Sequence, residues 1–324
     1  MLRILLALGA SFVATLAIGP IIIPWLKKLK FGQNVRLYGP KSHLKKQGVP
    51  TMGGIMITLV ISVAALAFSH DQGRLQNVLP AVLFIGANAA IGFADDMLKI
   101  KKKNSDGLSP ANKTWLLLII DTAYAFWLYN TVGSVLYLPF TELTWNIGWF
   151  YIPLAVLVMY ATTNSANLLD GADGLLSGVT LIIAAAMTLI GHFAAGVLPA
   201  DFANISVISA ALTGACLGFL VFNHYPAKVI MGDVGSFAMG GAVAAVMLLG
   251  GMPLFIPILA IMYVVTSASD IIQVLSYKFR RKRMFKMAPI HHHFELSGMK
   301  ETKIVVMYMA ITIAAAAVTF FAIV

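Results

Sequence analysis

Residues Val78–Lys103 read VLPAVLFIGANAAIGFADDMLKIKKK. A transmembrane helix needs about 20 mostly apolar residues, with roughly 17 tolerated, and the part up to Ala94 meets that length. Asp95 and Asp96 follow at once, and a run of lysines follows them. The stretch therefore predicts a membrane-spanning helix that delivers charged groups to one surface of the bilayer.

The rest of the chain repeats the apolar part of this pattern. Hydrophobic residues make up 59% of the sequence and charged residues 11%, against roughly a quarter charged in soluble domains. We predict an all-α, polytopic integral membrane protein that forms one domain over residues 1–324. The ten predicted spans are Ile4–Trp25, Met52–Phe68, Val78–Ala94, Trp115–Val132, Trp149–Thr163, Leu175–Val197, Ile205–Phe222, Phe237–Leu249, Leu254–Tyr277 and Val305–Val324.

The basic residues predict the orientation of these spans. Of the 23 Lys and Arg residues, only Arg3 and Arg74 fall outside the connections that follow the first, third, seventh and ninth spans. Because cytoplasmic loops of membrane proteins collect Lys and Arg, both termini are predicted to lie outside the cell membrane. The same rule explains the net charge of +10 without a nucleic-acid partner. The one cysteine, Cys216, excludes an internal disulfide.

The predicted inner face also collects acidic residues and histidines, which favours an active site over a pore. Asp95 and Asp96 are adjacent carboxylates, which repel each other unless a cation holds them together. Mg²⁺ prefers oxygen ligands and brings phosphate oxygens with it. A helix end with stop-transfer lysines is the alternative, but it explains the lysines and not the aspartates.

Two further polar loops join predicted spans on that face. Asn164–Gly174 combines asparagines with two Asp-Gly-type turns, and its side chains are suited to binding a nucleoside or a metal. Gly232–Ser236 opens a helix, where free backbone N–H groups favour anions. Asp233 in this position indicates a metal ligand or a chemical role.

The fourth element is Pro289–Glu295, which contains His291, His292 and His293. Consecutive side chains cannot all point at one ion from regular structure, so we favour contact with substrate phosphate over a zinc site. Asp121 and Asp270 are intramembrane carboxylates, a residue type that often marks function, and Asp270 is close enough to the inner end of its helix to support the site.

These elements in this order resemble the polyprenyl-phosphate N-acetylhexosamine-1-phosphate transferases over essentially the whole chain. The resemblance also includes Pro50–Gly54, and Gly107-Leu108 with Lys113 beyond. The Pro-x-His-His-His-x-Glu element favours the branch that acts on UDP-MurNAc-pentapeptide. That resemblance implies transfer of phospho-MurNAc-pentapeptide to undecaprenyl phosphate in the bacterial inner membrane, giving lipid I and UMP with Mg²⁺, at a cytoplasm-facing site and often in a homodimer.

The resemblance also implies a role for each matching residue. Asp95, Asp96, Asp233 and His291 are the predicted catalytic residues, and the three aspartates are the predicted metal ligands, with Asp233 the principal one. The predicted substrate-binding residues are Lys46, Lys113, Asn167, Asp170, Asp173, Asn223, Gly232, His291, His292 and His293. Ile230 departs from the family, which has a phenylalanine there that stacks on uracil, and Val234 replaces a threonine.

Two other functions stay open on the sequence alone. A sister transferase would move GlcNAc-1-phosphate from UDP-GlcNAc onto a polyprenyl phosphate. A transporter of lipid or solute would place charged residues near the middle of its helices, whereas most of the carboxylates here lie on the predicted inner face.

Overall fold

The computed structural model describes residues 1–29, 48–69, 75–102, 106–141, 143–194 and 202–324. Most of this part of the chain is helical, as predicted for an all-α protein. Its helices are α1 (Leu2–Lys28), α2 (Gly54–Phe68), α3 (Leu75–Lys102), α4 (Pro110–Thr131), α5 (Tyr151–Leu169), α6 (Leu175–Phe193), α7 (Phe202–Asn223), α8 (Gly232–Leu249), α9 (Ile256–Leu259), α10 (Ile261–Arg280), α11 (Ile290–Leu296) and α12 (Glu301–Phe321).

Seven of the described helices are long and apolar enough to cross a membrane, and a bent pair makes up to eight. The seven are α1, α3, α5, α6, α7, α8 and α12. α2 is apolar but has 15 residues, and α4, which carries Asp121 in its middle, is not among the seven. A helix lies at each of the ten predicted spans, but length and composition alone support seven or eight crossings.

The ninth predicted span is not one continuous helix. Pro253–Leu259 and Ile261–Arg280 meet at an angle of 83°. Ala260, between them, has φ −98° and ψ +36°, which lies outside the helical region. The bend turns α10 away from the direction of the preceding segment.

Two helices extend further toward the predicted inner face than the sequence indicated: α3 continues past Ala94 to Lys102, and α5 past Thr163 to Leu169. α8 begins at Gly232, in the stretch predicted to open a helix. The polar stretch predicted as a turn from Asn164 is therefore helical up to Leu169. Asp95, Asp96 and Asn167 therefore lie on regular helices and not on loops.

α8 is the central helix, and almost all of its residues are buried. It packs against α3 and α5, while α1 packs against α7 and α7 against α6. Glycines permit the closest approach, because a β carbon on Gly92 of α3 would collide with the backbone of Asp233. Far from that contact, strands β1 (Val135–Tyr137) and β2 (Thr144–Asn146) form an antiparallel hairpin between α4 and α5.

Candidate active site

Asp95 and Asp96 lie inside α3, about two turns before its end at Lys102, and their side chains are almost completely buried. Lys99 follows Asp95 by four residues, a spacing that puts two side chains on the same face of a helix. Its Nζ lies 2.6 Å from Asp95 Oδ2 and 3.6 Å from Asp96 Oδ1. The helix thus carries both carboxylates and a cation that contacts them.

Asp233 is in the first turn of α8, where the helix dipole favours a negative charge. Its Oδ2 accepts hydrogen bonds from Lys99 Nζ at 2.9 Å and Lys113 Nζ at 3.2 Å. Asn167 Nδ2 donates to its Oδ1 at 3.0 Å and to Ser236 Oγ at 2.9 Å. Asp233 therefore joins α8 to α3, α4 and α5.

The two lysines also hold Asp95. Lys113 Nζ lies 3.1 Å from Asp95 Oδ1, and the backbone N–H of Leu108 donates to the same oxygen at 2.8 Å. Lys113 also lies over the ring of Phe237, 5.3 Å from its centroid, a favourable cation–π arrangement. Two ammonium groups thus offset most of the charge of three neighbouring carboxylates.

Asp95, Asp96 and Asp233 form the group in the described chain that could hold a metal ion. One ligand oxygen of each lies within 4.8 Å of those of the other two. Carboxylate oxygens are the ligands that Mg²⁺ prefers, so the donor set fits the predicted ion. We call these three residues, with Lys99 and Lys113, the acidic cluster.

Glycines leave room for the acidic cluster. Gly232 has φ +74°, a left-handed conformation that glycine adopts without strain. A β carbon there would lie 2.6 Å from Asp96 Oδ2, and one on Gly107 would collide with the carboxylate of Asp95. Val234 N–H, freed by the helix start, donates to Asp96 Oδ2 at 3.2 Å. Besides its predicted contact with substrate, Gly232 thus leaves space for the carboxylate of Asp96.

The turn after α5 connects several loops on this face. Asp170 caps α5. The backbone N–H of Asp173 donates to Glu301 Oε1 at 2.6 Å, and Asp173 Oδ2 accepts from the Ala227 N–H at 2.9 Å. Asp173 thus ties the turn to α12 and to the loop before α8. Its predicted contact with substrate stays a prediction.

Asn223 is buried at the end of α7 and stabilises the same turn. Its Oδ1 accepts from Gly174 N–H at 3.2 Å and from Ser177 Oγ at 2.8 Å, and its Nδ2 donates to Val229 O at 3.0 Å. Both halves of the amide are therefore used within the protein. The structure gives Asn223 a loop-positioning role beside its predicted binding role.

The three histidines have different surroundings. His291 and His292 are buried in α11, with ring centroids 4.2 Å apart. His291 lies against Gly171, where a β carbon would collide with its ring, while His292 Nδ1 is 2.8 Å from Glu295 Oε2. His293 Nδ1 accepts from Lys286 N–H at 3.1 Å. Of the three, the structure places His291 against the turn that follows Asp170.

Lys46, a predicted phosphate ligand, lies outside the described residues. Lys99 and Ser236 were missing from the predicted site residues, although Lys99 contacts all three aspartates. The spacing of four residues from Asp95 was the signal that could have identified it.

The sequence matches known proteins over nearly its whole length. The model of glycosyl transferase family 4 matches residues 78–251, the stretch that carries all three aspartates. Proteins named phospho-N-acetylmuramoyl-pentapeptide-transferase are similar to the whole chain. The one from Acetivibrio thermocellus is 44% identical over 315 residues, covering 96% of this chain and 93% of the relative.

Other relatives of that name agree. The protein from Clostridium botulinum is 46% identical over 322 residues, covering 98% of this chain and 96% of its own. The protein from Thermoanaerobacter sp. is 44% identical over 319 residues, covering 98% of each.

The fold and the acidic cluster thus belong to a membrane-embedded transferase of glycosyl transferase family 4. Within it, the chain belongs to the phospho-N-acetylmuramoyl-pentapeptide-transferases. It is accordingly a multi-pass membrane enzyme that transfers a phosphorylated group, and the sister transferase that uses UDP-GlcNAc is not favoured.

Proposed function

We propose that this chain transfers phospho-MurNAc-pentapeptide from UDP-MurNAc-pentapeptide to undecaprenyl phosphate, giving lipid I and UMP. The observation that carries the proposal is the acidic cluster, in which buried carboxylates from α3 and α8 meet two lysines. Relatives that align with nearly the whole chain are named for this reaction.

The proposal includes a position in the membrane. Ten spans, with α2 and α4 completing the count, would put both termini on the periplasmic side of the bacterial inner membrane and the acidic cluster on the cytoplasmic side. The concentration of Lys and Arg after the first, third, seventh and ninth predicted spans supports this orientation. Residues 1–324 would act as one domain.

The proposed metal is Mg²⁺, held by Asp233 with Asp95 and Asp96. When bound, it would neutralise charge on the phosphates of the donor. Lys99 and Lys113 add fixed positive charge beside the carboxylates, which lowers the repulsion between two phosphate-bearing substrates. Asn167 fixes the orientation of Asp233 by a hydrogen bond of 3.0 Å.

The other predicted residues would contact the donor and the lipid phosphate. In this proposal the phosphates contact Lys46, Lys113, His291, His292 and His293, and the nucleoside or metal contacts Asn167, Asp170, Asp173, Asn223 and Gly232. Ile230 would leave uracil without the stacking aromatic ring of the family, so the base would be held by other side chains.

The chemistry that we propose is a direct displacement. An oxygen of undecaprenyl phosphate forms a bond to the sugar-linked phosphorus, while the bond from that phosphorus to the UMP oxygen breaks and its electron pair leaves with UMP. Asp95 would position or deprotonate the attacking phosphate. One phosphoanhydride replaces another, so the reaction is close to isoenergetic and reversible.

The alternative route passes through a phospho-enzyme on an aspartate. Incubation with donor alone, followed by mass spectrometry of the peptides that contain Asp95 or Asp233, separates the two routes. A sugar-phosphate adduct on either residue would overturn the direct displacement.

The experiment that tests the function measures UMP release by the purified chain with undecaprenyl phosphate and Mg²⁺. We expect release with UDP-MurNAc-pentapeptide and none with UDP-GlcNAc. Release with UDP-GlcNAc alone would contradict the assignment, and lipid transport without UMP release would support a transporter. The homodimer implied by the resemblance is checked by the mass of the protein in nanodiscs.

A further inference from the structure

A second charged region lies beside α11, away from the contacts of the acidic cluster. A cavity of about 760 Å³ lies between α10 and residues 281–288. We call it the basic groove, because four cationic side chains line it together with one carboxylate. Those five residues are Lys278, Arg281, Arg283, Lys286 and Asp270.

The cations of the basic groove have no acidic partner in the described part of the chain. Within the described residues, Lys278, Arg281, Arg283 and Lys286 form no ion pair, although Lys286 Nζ donates to Leu296 O at 3.2 Å and Lys278 lies near the ring of Phe279. Membrane topology explains why basic residues occur on this face. It does not explain why four of them line one cavity, where their charges repel.

The backbone at Arg281 points to more than topology. This residue ends α10 with φ +52° and ψ +24°, the left-handed conformation in which helices commonly place glycine. A side chain in that conformation carries a steric cost. Arginine held there puts a guanidinium at the edge of the groove, where glycine would have been easier to accommodate.

The wall opposite α10 is fixed by hydrogen bonds. Gln273 Oε1 accepts from Met284 N–H at 3.0 Å and Phe285 N–H at 2.9 Å, and its Nε2 donates to Phe285 O at 3.0 Å. Ser276 Oγ donates to Lys282 O at 2.8 Å. The groove therefore has a defined shape in spite of its exposed rim.

The basic groove is connected to the turn beside the active site. Lys286, which lines the groove, donates its N–H to His293 Nδ1 in α11, and His291 of the same helix lies against Gly171. An extended pentapeptide spans up to about 17 Å. α11 has seven residues and is therefore about 10 Å long, so a donor bound at that turn could reach the groove with its peptide.

We propose that the basic groove binds the peptide of the donor through its carboxylates, an inference that rests on the proposed function. A peptide joined to the sugar by its amino end carries a free terminal carboxylate, which Arg and Lys bind by charge-assisted hydrogen bonds. Its amide N–H groups match Asp270, the carboxylate that lines the groove. A lipid phosphate has only acceptor oxygens beside it and would be repelled by Asp270.

The test uses the full chain in nanodiscs and two donors, UDP-MurNAc-pentapeptide and UDP-MurNAc without peptide. Arg281→Gly removes the guanidinium and relieves the left-handed strain, so its melting temperature should equal or exceed that of the wild type. We expect the preference for the pentapeptide donor, taken as the ratio of the two KM values, to fall about tenfold, the size of one charge-assisted hydrogen bond.

Arg283→Met is a second variant that imposes no backbone constraint, and it should lower the same ratio. Lys282→Met removes a neighbouring exposed charge that does not line the groove and should keep the wild-type ratio. An unchanged ratio in both arginine variants would overturn the inference, as would a raised KM for undecaprenyl phosphate alone, which would assign the groove to the lipid. No UMP release by the wild type with either donor would instead overturn the proposed function, and the inference with it.

Discussion

The acidic cluster and the basic groove both lie on the face predicted to be cytoplasmic, but their charges are arranged in opposite ways. In the acidic cluster, Lys99 and Lys113 each contact two or more carboxylates within 4 Å. In the basic groove, the four cations contact no carboxylate in the described chain. The cluster is internally neutralised except for one charge, whereas the groove keeps its charge available for an anion.

The two regions also differ in how the chain builds them. The acidic cluster depends on helices far apart in sequence, which approach closely because Gly92 and Gly232 lack side chains. The basic groove is local, since α10, the following segment and α11 are held together largely by Gln273. Single substitutions should therefore reduce activity strongly in the acidic cluster and more mildly in the basic groove.

The largest effect should come from Asp233→Asn, which keeps the size of the side chain and removes its charge. Lys99 and Lys113 would lose a shared partner, and the proposed metal would lose its principal ligand. We expect UMP release to fall about 10³-fold, the upper range for removing one preorganised electrostatic group.

Asp106→Asn is the control for that loss, because it removes an exposed carboxylate from the same face. It should leave turnover within about twofold, as expected for a surface charge. Unchanged turnover in Asp233→Asn would mean that the acidic cluster is not the catalytic centre, and a transporter would again become the leading alternative.

A smaller effect should follow from Gly92→Ala in α3. The new methyl group would collide with the backbone of Asp233, and overpacking of this kind costs about 1–3 kcal/mol. We expect a lower melting temperature together with reduced UMP release, because α3 and α8 would be forced apart at the acidic cluster.

Gly86→Ala is the matched control on the same helix, since nothing lies within 4 Å of its β carbon. Alanine should stabilise the helix there by about 0.5–1 kcal/mol relative to glycine. Equal melting temperatures and turnover for the two variants would show that the contact between α3 and α8 does not determine the geometry of the cluster.

The comparison also shows what the sequence could predict. Asp95 and Asp96 were predicted to bind a cation because adjacent carboxylates repel each other, and the family resemblance added Asp233 to the same metal site. The structure brings the three together. The long apolar stretches predicted the membrane helices, because a span has a fixed minimal length.

Other features depend on contacts that a linear pattern does not contain. Nothing about an alanine predicts the bend at Ala260. Asn167 was predicted on a turn because its neighbours are polar and include glycines, although α5 continues to Leu169. The left-handed Arg281 was equally hidden, because sequence patterns reserve that conformation for glycine.

The smallest effect should come from Gln273→Ala, which removes three hydrogen bonds to residues 284–285. Because these bonds fix the wall of the basic groove and touch nothing in the acidic cluster, the segment should open more often while turnover on UDP-MurNAc falls little. Trypsin cleaves after Lys and Arg, so cleavage within residues 281–286 should become about fivefold faster, as expected from losing about 1 kcal/mol of net hydrogen bonding. Ile271→Ala, an exposed neighbour on α10, should leave the cleavage rate unchanged. If Gln273→Ala instead abolished UMP release from both donors, the basic groove and the acidic cluster would act as one coupled unit. The separation of the two regions argued above would then be wrong.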